Sequence, residues 1–459
     1  MRHSAALLLC FLGVGPAFAE TPSAPWRGLL LPRTELADSA NALTRWRPEL
    51  PSLFPAETKI IEQLIHDASP LVDQPENDEA LQTWLAPILP RLSVFTLRPG
   101  ESFQPPALFG PETPFPDHQP LRQLAQVRLA ALKTHWRANR REESLTLAVD
   151  NLALARALLS TQEGLVPFLH ATGVWQLSLD GVYWLARQPD LTPAQAVRLQ
   201  LILLEDERLA TDALVRAFRG EFTFFTHLVV ERLPRTHDID LLLSGIGSLG
   251  MAPPSPPAEG EPRLAIPIRD PFDREATLQS AADDIRGWTT AFAADARHPR
   301  GLGATHTGRR LKAYAAEIPE LLRYATQDAA ATPEQVVTVD AEVAGAENPV
   351  GKIFLIIATS QWEPLSAHAH RREAQRRALT GLLAWKRLGR PAAWKDLVTA
   401  GLLPAPPADP FAKGPLHFDL VKPRIWSVGE NAVDDGGDGN GENVGRPADL
   451  TWPAPVKPR

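Results

Sequence analysis

Cysteine is nearly missing from this 459-residue chain: its single copy, Cys10, lies in the apolar N-terminal stretch. Beyond that stretch no disulfide can form and no thiol can act as nucleophile, so the fold must rest on its core alone. A basic excess is missing too. Lys and Arg number 47 against 54 Asp and Glu, a net charge of -7 with a pI near 6.0, which argues against a nucleic-acid partner. Long internal apolar runs are also lacking. The strongest, Ile353 to Ala358, follows Lys352 and falls far short of the roughly twenty residues a membrane helix needs. The familiar catalytic signatures do not occur either: no His-Glu-x-x-His, no Gly-x-Ser-x-Gly and no Gly-x-x-x-x-Gly-Lys.

What is present begins at the N-terminus. Arg2 and His3 give a basic start, Ala5 to Val14 an apolar run broken by Gly15 and Pro16, and Ala17-Phe18-Ala19 a small-x-small cleavage pattern before Glu20. Together they read as a secretory signal peptide over residues 1–19. Cys10 follows leucines and stands too early in the run for a lipoprotein. The expected location is periplasmic or secreted, with no membrane span in the mature chain. About 440 residues would remain, enough to bury a sizeable core without disulfides and to form two or three domains.

Forty-five prolines punctuate the sequence, clustering at residues 98–120, 253–267 and 404–410. Between them the apolar period is helical: Leu145, Ala148, Val149, Leu152 and Leu159 recur at three- and four-residue steps. Thr192-Pro193-Ala194-Gln195 reads as a capping box with proline in the first turn, and Thr332-Pro333-Glu334-Gln335 repeats it. Helices are expected across most of 35–90, 120–248, 270–296 and 309–327. No period of 34 or 40 residues holds in register, so a solenoid is not indicated. The expectation is a mainly α chain: a helical body of αα-hairpins over 20–250, a Pro-rich linker over 251–269, a helical segment over 270–345, and a small α+β module over 346–459.

Several polar groups invite a chemical reading. His368 and His370 could offer imidazoles to a metal, but on a helix residues two apart face different ways, and a solvated helix start is the plainer account. His237, Asp238 and Asp240 read as an N-cap with acidic first-turn residues. Glu205, Asp206 and Glu207, consecutive on a helix, read as a solvated face. Trp175, Tyr183 and Trp184 read as core, with a carbohydrate-stacking surface as the sharper alternative.

The end of the chain has a different grammar. A long Arg/Ala-rich helix runs through Arg371 and Leu383, followed by Trp394-Lys395-Asp396-Leu397, Gly401-Leu402-Leu403-Pro404 and Asp409-Pro410-Phe411. Then come Pro415-Leu416-His417-Phe418, Ile425-Trp426-Ser427-Val428-Gly429, the acidic Asp434-Asp435-Gly436-Gly437, and Asp449-Leu450-Thr451-Trp452. This reads as a long helix, a short helix, a Pro-fixed turn, two strands and a Gly/Asp-rich loop. The succession resembles the globular part of type II secretion major pseudopilins, as found at the end of larger uncharacterised exported bacterial proteins. Asp409, Pro410 and Phe411 match that family's turn, Ser427 and Gly429 its strand end, and Gly436, Gly437 and Asp449 its loop. The likeness covers about the last ninety residues; where that family begins with a short basic leader and a membrane helix, this sequence reads as an ordinary signal peptide with the module at the far end.

The resemblance implies a structural Ca²⁺ in the acidic loop, on Asp434, Asp435, Asp438 and Asp449, with Glu442 and Asn431 in reserve. Asn431 stands where many members of the family carry an acid. Calcium takes six to eight hard oxygens, and glycine lets carbonyls turn inward, so the composition suits it. An EF-hand starting at Asp438 fails, because Asn443 stands where glycine is required. A solvated Gly/Asp loop without metal is the competing reading. For the whole chain, two functions stay open: a non-catalytic envelope or interaction protein of unknown partner, or an exported hydrolase whose site in the helical body carries no short motif. The first testable consequence is export. Mass spectrometry of the protein recovered outside the cytoplasm should find Glu20 at the N-terminus, and an intact Met1 would overturn the assignment.

Overall fold

The computed structural model describes residues 25–30, 36–50, 78–103, 118–161, 164–227, 273–295, 351, 355, 362–437 and 449–453. Helix accounts for 68 % of what can be interpreted, and one three-stranded antiparallel sheet lies near the C-terminus, so the mainly α class with a small β element holds. Short 3-10 turns at Pro25–Leu29, Asp38–Ala40 and Ser93–Phe95 accompany the helices α1 (Ala42–Trp46), α2 (Asp78–Leu85) and α3 (Leu89–Leu92). The body is built from α4 (His118–Arg137), α5 (Arg141–Thr161), α6 (Leu165–Ala186), α7 (Pro193–Glu205), α8 (Leu209–His227) and α9 (Arg274–Asp295). Then follow α10 (Trp362–Leu388), α11 (Trp394–Thr399) and the strands β1 (His417–Asp419), β2 (Arg424–Ser427) and β3 (Leu450–Pro453).

The body folds as antiparallel neighbours because its connections are short. Asn139 at φ 59° and Arg208 at φ 69° take the left-handed conformation in two of the turns. The capping box forms as the sequence predicts: Gln195 N donates to Thr192 Oγ1 at 3.3 Å and Thr192 N to Gln195 Oε1 at 3.0 Å. On α5, Leu145, Ala148, Leu152 and Leu159 are buried, and Val149 sits half-buried at the edge of the stripe. Trp175 is wholly buried, and Tyr183 and Trp184 pack partly buried against the same core. The Pro25–Leu29 turn is fastened to α9 by Trp26 Nε1, which donates to Glu275 Oε1 at 2.9 Å.

Helix α10 joins the body to the sheet. Gln375 on it donates to Asp180 of α6 at 2.9 Å, and its Thr380 carbonyl accepts from Gln200 of α7 at 3.3 Å. On another face, Gly381 meets Trp394 of α11 and Ile425 of β2. Gly389, at φ +77°, ends the helix. Between these faces Glu373 is buried and accepts from both Arg376 (2.6 and 2.8 Å) and Arg377 (2.6 Å). Arg376 reaches on to the Leu203 carbonyl of α7, and Arg377 to the Ala408 carbonyl before β1 at 2.8 Å.

Three details correct the sequence reading. Asp206 is not solvated: α7 stops at Glu205, and Asp206, as C-cap, turns under the helix to 2 % exposure and receives Arg156 Nε at 2.6 Å. Burial raises its pKa, opposed by Arg156. His370 is not solvated either. It is buried, with Nδ1 2.7 Å from the Ser366 carbonyl and its ring edge-on to Phe411. Third, the sheet has three strands rather than two, because Leu450–Pro453 returns to pair with β2. His237, Asp238, Asp240, the second capping box, the linker and the helix expected over 309–327 lie outside the described residues.

Two glycines offer a matched test of this packing. A Cβ at Gly381 would stand 2.8 Å from Trp394 and 2.9 Å from Ile425, whereas one at Gly173 in α6 would meet nothing within 4 Å. Gly381→Ala should therefore cost about 1–3 kcal/mol by overpacking. Gly173→Ala should stabilise by about 0.5–1 kcal/mol through helix propensity. Chemical denaturation of the two variants reads both signs.

Candidate metal site in the C-terminal module

The hairpin is turned by Asp419, whose Oδ1 accepts from Val421 N at 2.7 Å and Lys422 N at 3.0 Å. Register then sorts the side chains by face. Phe418, Ile425 and Trp452 stand opposite one another, and Ile425 and Trp452 are buried. His417, Trp426 and Thr451 form the next row, which by the period of two lies on the other, outward face together with Asp419 and Arg424.

Two carboxylates fasten this sheet. Asp409, fully buried, accepts from Phe411 N (2.9 Å) and Ser427 Oγ (2.7 Å) through Oδ1, and from Val428 N (3.0 Å) through Oδ2. Ser427 Oγ in turn accepts from Gly429 N at 3.3 Å. The Asp-Pro-Phe turn and the Ser-x-Gly strand end therefore meet in one network. Asp449 fastens the acidic loop: its Oδ2 accepts from Asp435 N at 2.9 Å and Gly437 N at 2.8 Å.

The loop folds back over the outward face. Asp434 Oδ1 accepts from Trp426 Nε1 at 2.9 Å and Gly436 N at 3.0 Å, while Oδ2 lies 3.1 Å from His417 Nδ1. Arg424 donates to the carbonyls of Gly436 (2.7 Å) and Gly437 (3.0 Å), and Thr451 Oγ1 also donates to Gly437 O at 2.9 Å. Gly437 must be glycine: φ is +75°, and a Cβ would stand 3.0 Å from the Trp426 ring and 3.2 Å from the Arg424 guanidinium carbon.

Of the four carboxylates expected to hold calcium, the structure brings Asp434, Asp435 and Asp449 to one loop; Asp438 lies outside the described residues, as does Glu442. Asp434 is held by Trp426, and Asp435 receives Asn431 Nδ2 at 3.1 Å. Among the described residues no group of three or more acidic or imidazole side chains converges as a metal cluster. The donor set fits calcium in part. Asp449 is buried, and its Oδ1 has no hydrogen-bond partner among the described residues. Burial raises its pKa, and the charges of Asp434 and Asp435 add to that against the N–H of Gly437. The two glycine carbonyls, however, already serve a guanidinium. The sequence reading passed over Arg424, Trp426 and His417. The period of two places Arg424 and Trp426 on one face, and His417 joins them only through the hairpin register, which pairs it with Trp426.

In the body the buried charges have structural partners. Arg128 donates to the Phe95 carbonyl at 3.0 Å, and burial pushes it down to about 10. His118 and His170 stack at 4.5 Å, and desolvation pushes His170 down to about 3. Glu221, pushed up to about 7 by burial, lies 3.4 Å from Leu165 N at the start of α6. Compared with protein-family models, curated proteins and solved structures, the chain finds no match.

Asp434 and Asp449 should respond to acid in opposite senses. Burial works against Asp434, but the Trp426 and Gly436 N–H groups and His417 hold its pKa below the ordinary carboxyl. Its stabilising contribution is present above about pH 3.9 and fades as pH falls through the lower folded value. The raised Asp449 carries a penalty when ionised, which fades as pH falls from its folded value to about 3.9. In chelator, carboxyl ¹³C titration should place Asp434 below and Asp449 above that reference, and a reversed order would refute the geometry.

Proposed function

We propose that this chain is an exported, non-catalytic interaction protein of the bacterial envelope whose C-terminal module is stiffened by calcium. The reading draws its export from the N-terminal segment and its metal from the loop. One observation carries it: Asp449 keeps a buried oxygen without a partner while two further carboxylates press their charge on it. A divalent cation would convert that repulsion into cross-linking. Asp449, Asp434 and Asp435 would hold it, with Asp438 as the fourth carboxylate from the sequence.

This chain's own residues prepare the site. Asp449 binds the N–H groups of Asp435 and Gly437, which sets the loop before any ion arrives. Arg424 ties the Gly436 and Gly437 carbonyls to β2, so the loop keeps its shape in the metal-free protein. The apolar side chains of Val421 and Val433 stand exposed on the same module, at 92 % and 56 %, and are available to a protein partner.

The test uses the full mature chain. Free calcium at about a hundred times its dissociation constant should stabilise by about 2.7 kcal/mol. Calorimetry should therefore show a higher melting temperature in calcium than in EDTA. Asp449→Asn should abolish that difference while holding its melting temperature in EDTA, since it removes a charge that costs stability there. The metal reading fails if the wild type melts identically in both buffers and titration detects no calcium binding.

A further inference from the structure

Five helix ends meet at one pole of the body. There α4 turns into α5, α6 turns into α7, and α10 stops at Leu388. Contacts weld them into one surface: Trp136 Nε1 donates to Asp190 at 3.1 Å, Arg141 pairs with the same carboxylate, and Lys386 Nζ donates to the Pro189 carbonyl at 3.3 Å. The surface is cationic. Arg137 lies 5.8 Å from the half-buried Trp184 ring and Arg187 5.6 Å from the half-buried Tyr183, while beneath them Lys133 and Trp136 are buried, 6.0 Å from Trp184 and 4.3 Å from Arg141 respectively. Arg140 and Arg187 are exposed at its tips.

Helix dipoles alone do not account for this charge. Three C-termini and two N-termini sum to about half a negative charge. Among the described residues Arg137, Arg140, Arg141, Arg187 and Lys386 outnumber the local acids Glu142, Glu143 and Asp190. Glu142 moreover faces Arg198 at 3.4 Å, and Asp190 faces Arg141. A positive pole on a chain of net charge -7 is a concentrated asymmetry. It acts locally, because acids more than about 10 Å away are screened at physiological salt.

We infer that this pole docks on an anionic lipid surface. Each exposed Arg or Lys near a membrane surface attracts anionic lipid, and the half-buried Trp184 and Tyr183 brace the cations that present that charge. The cations lie spread across three turns and do not converge on one point, which suits a field of phosphates better than a single phosphate ion. The aromatic faces are already covered by guanidinium and ammonium groups, which leaves them unsuited to stacking on nucleobases. The inference rests on the envelope reading only for where such a membrane would be met, and not at all on the calcium loop.

Vesicle sedimentation of the full mature chain in EDTA tests it. The protein should pellet with vesicles containing phosphatidylglycerol but not with phosphatidylcholine alone, and the bound fraction should fall as salt rises. Arg140→Glu with Arg187→Glu should abolish pelleting, whereas Lys413→Glu with Lys422→Glu, the same charge reversal on exposed sites of the C-terminal module, should leave it intact. Equal pelleting with both vesicles, or by the Arg140/Arg187 variant, overturns the inference, as does equal loss in the two variants. Release by inorganic phosphate at an ionic strength where chloride has no effect would also overturn it, in favour of a free-phosphate site. Because export and calcium play no part in this assay, its outcome is separable from theirs.

Discussion

The buried carboxylate of Glu373 holds the two parts of the described molecule against one helix. Its partners diverge: Arg376 continues to the Leu203 carbonyl in the body, and Arg377 to the Ala408 carbonyl at the entry to the sheet. Three charges in so small a buried space are tolerable only because each is hydrogen-bonded, and removing one partner of such a set costs about 3–5 kcal/mol. Burial alone would raise the acid's pKa, yet the two guanidinium groups hold it below its ordinary value. The pairing thus outweighs the desolvation, and its stabilisation is present above about pH 4.3 and lost as pH falls through the lower folded value.

The small sheet uses the same device at a smaller scale. Asp409 and Asp449 each accept from two backbone N–H groups of segments that regular pairing does not reach. These are loop closures made by side chains, and they fix where the acidic loop lies relative to β2 and β3. Arg424 completes the closure from the opposite sign, offering a planar fork to two adjacent carbonyls.

Helix α5 was legible from its apolar stripe and α7 from the Thr192 cap, because both signals depend on residues a few positions apart. The long helix through Arg371 and Leu383 and the short helix at Trp394 were legible for the same reason. Leu450–Pro453 was not, since a strand so short gains its identity from pairing with Arg424–Ser427 across a loop. Asp206 and His370 were misread because their burial is decided by distant partners, Arg156 on α5 and Phe411 after α11. In the candidate site the acids could be named from spacing. That Arg424 would occupy the glycine carbonyls could not, because the residues that meet there are twelve or thirteen positions apart.

Gln200 of α7 donates to carbonyls at Thr380 and Leu402, some two hundred residues further along the chain. Contacts of that span carry a loop-closure cost that must be met before packing rewards it. During synthesis α6 and α7 have no partner for these faces until α10 has emerged. Those faces stay uncovered until residues 362–388 have been made, and apolar surface left open in that interval is prone to aggregation.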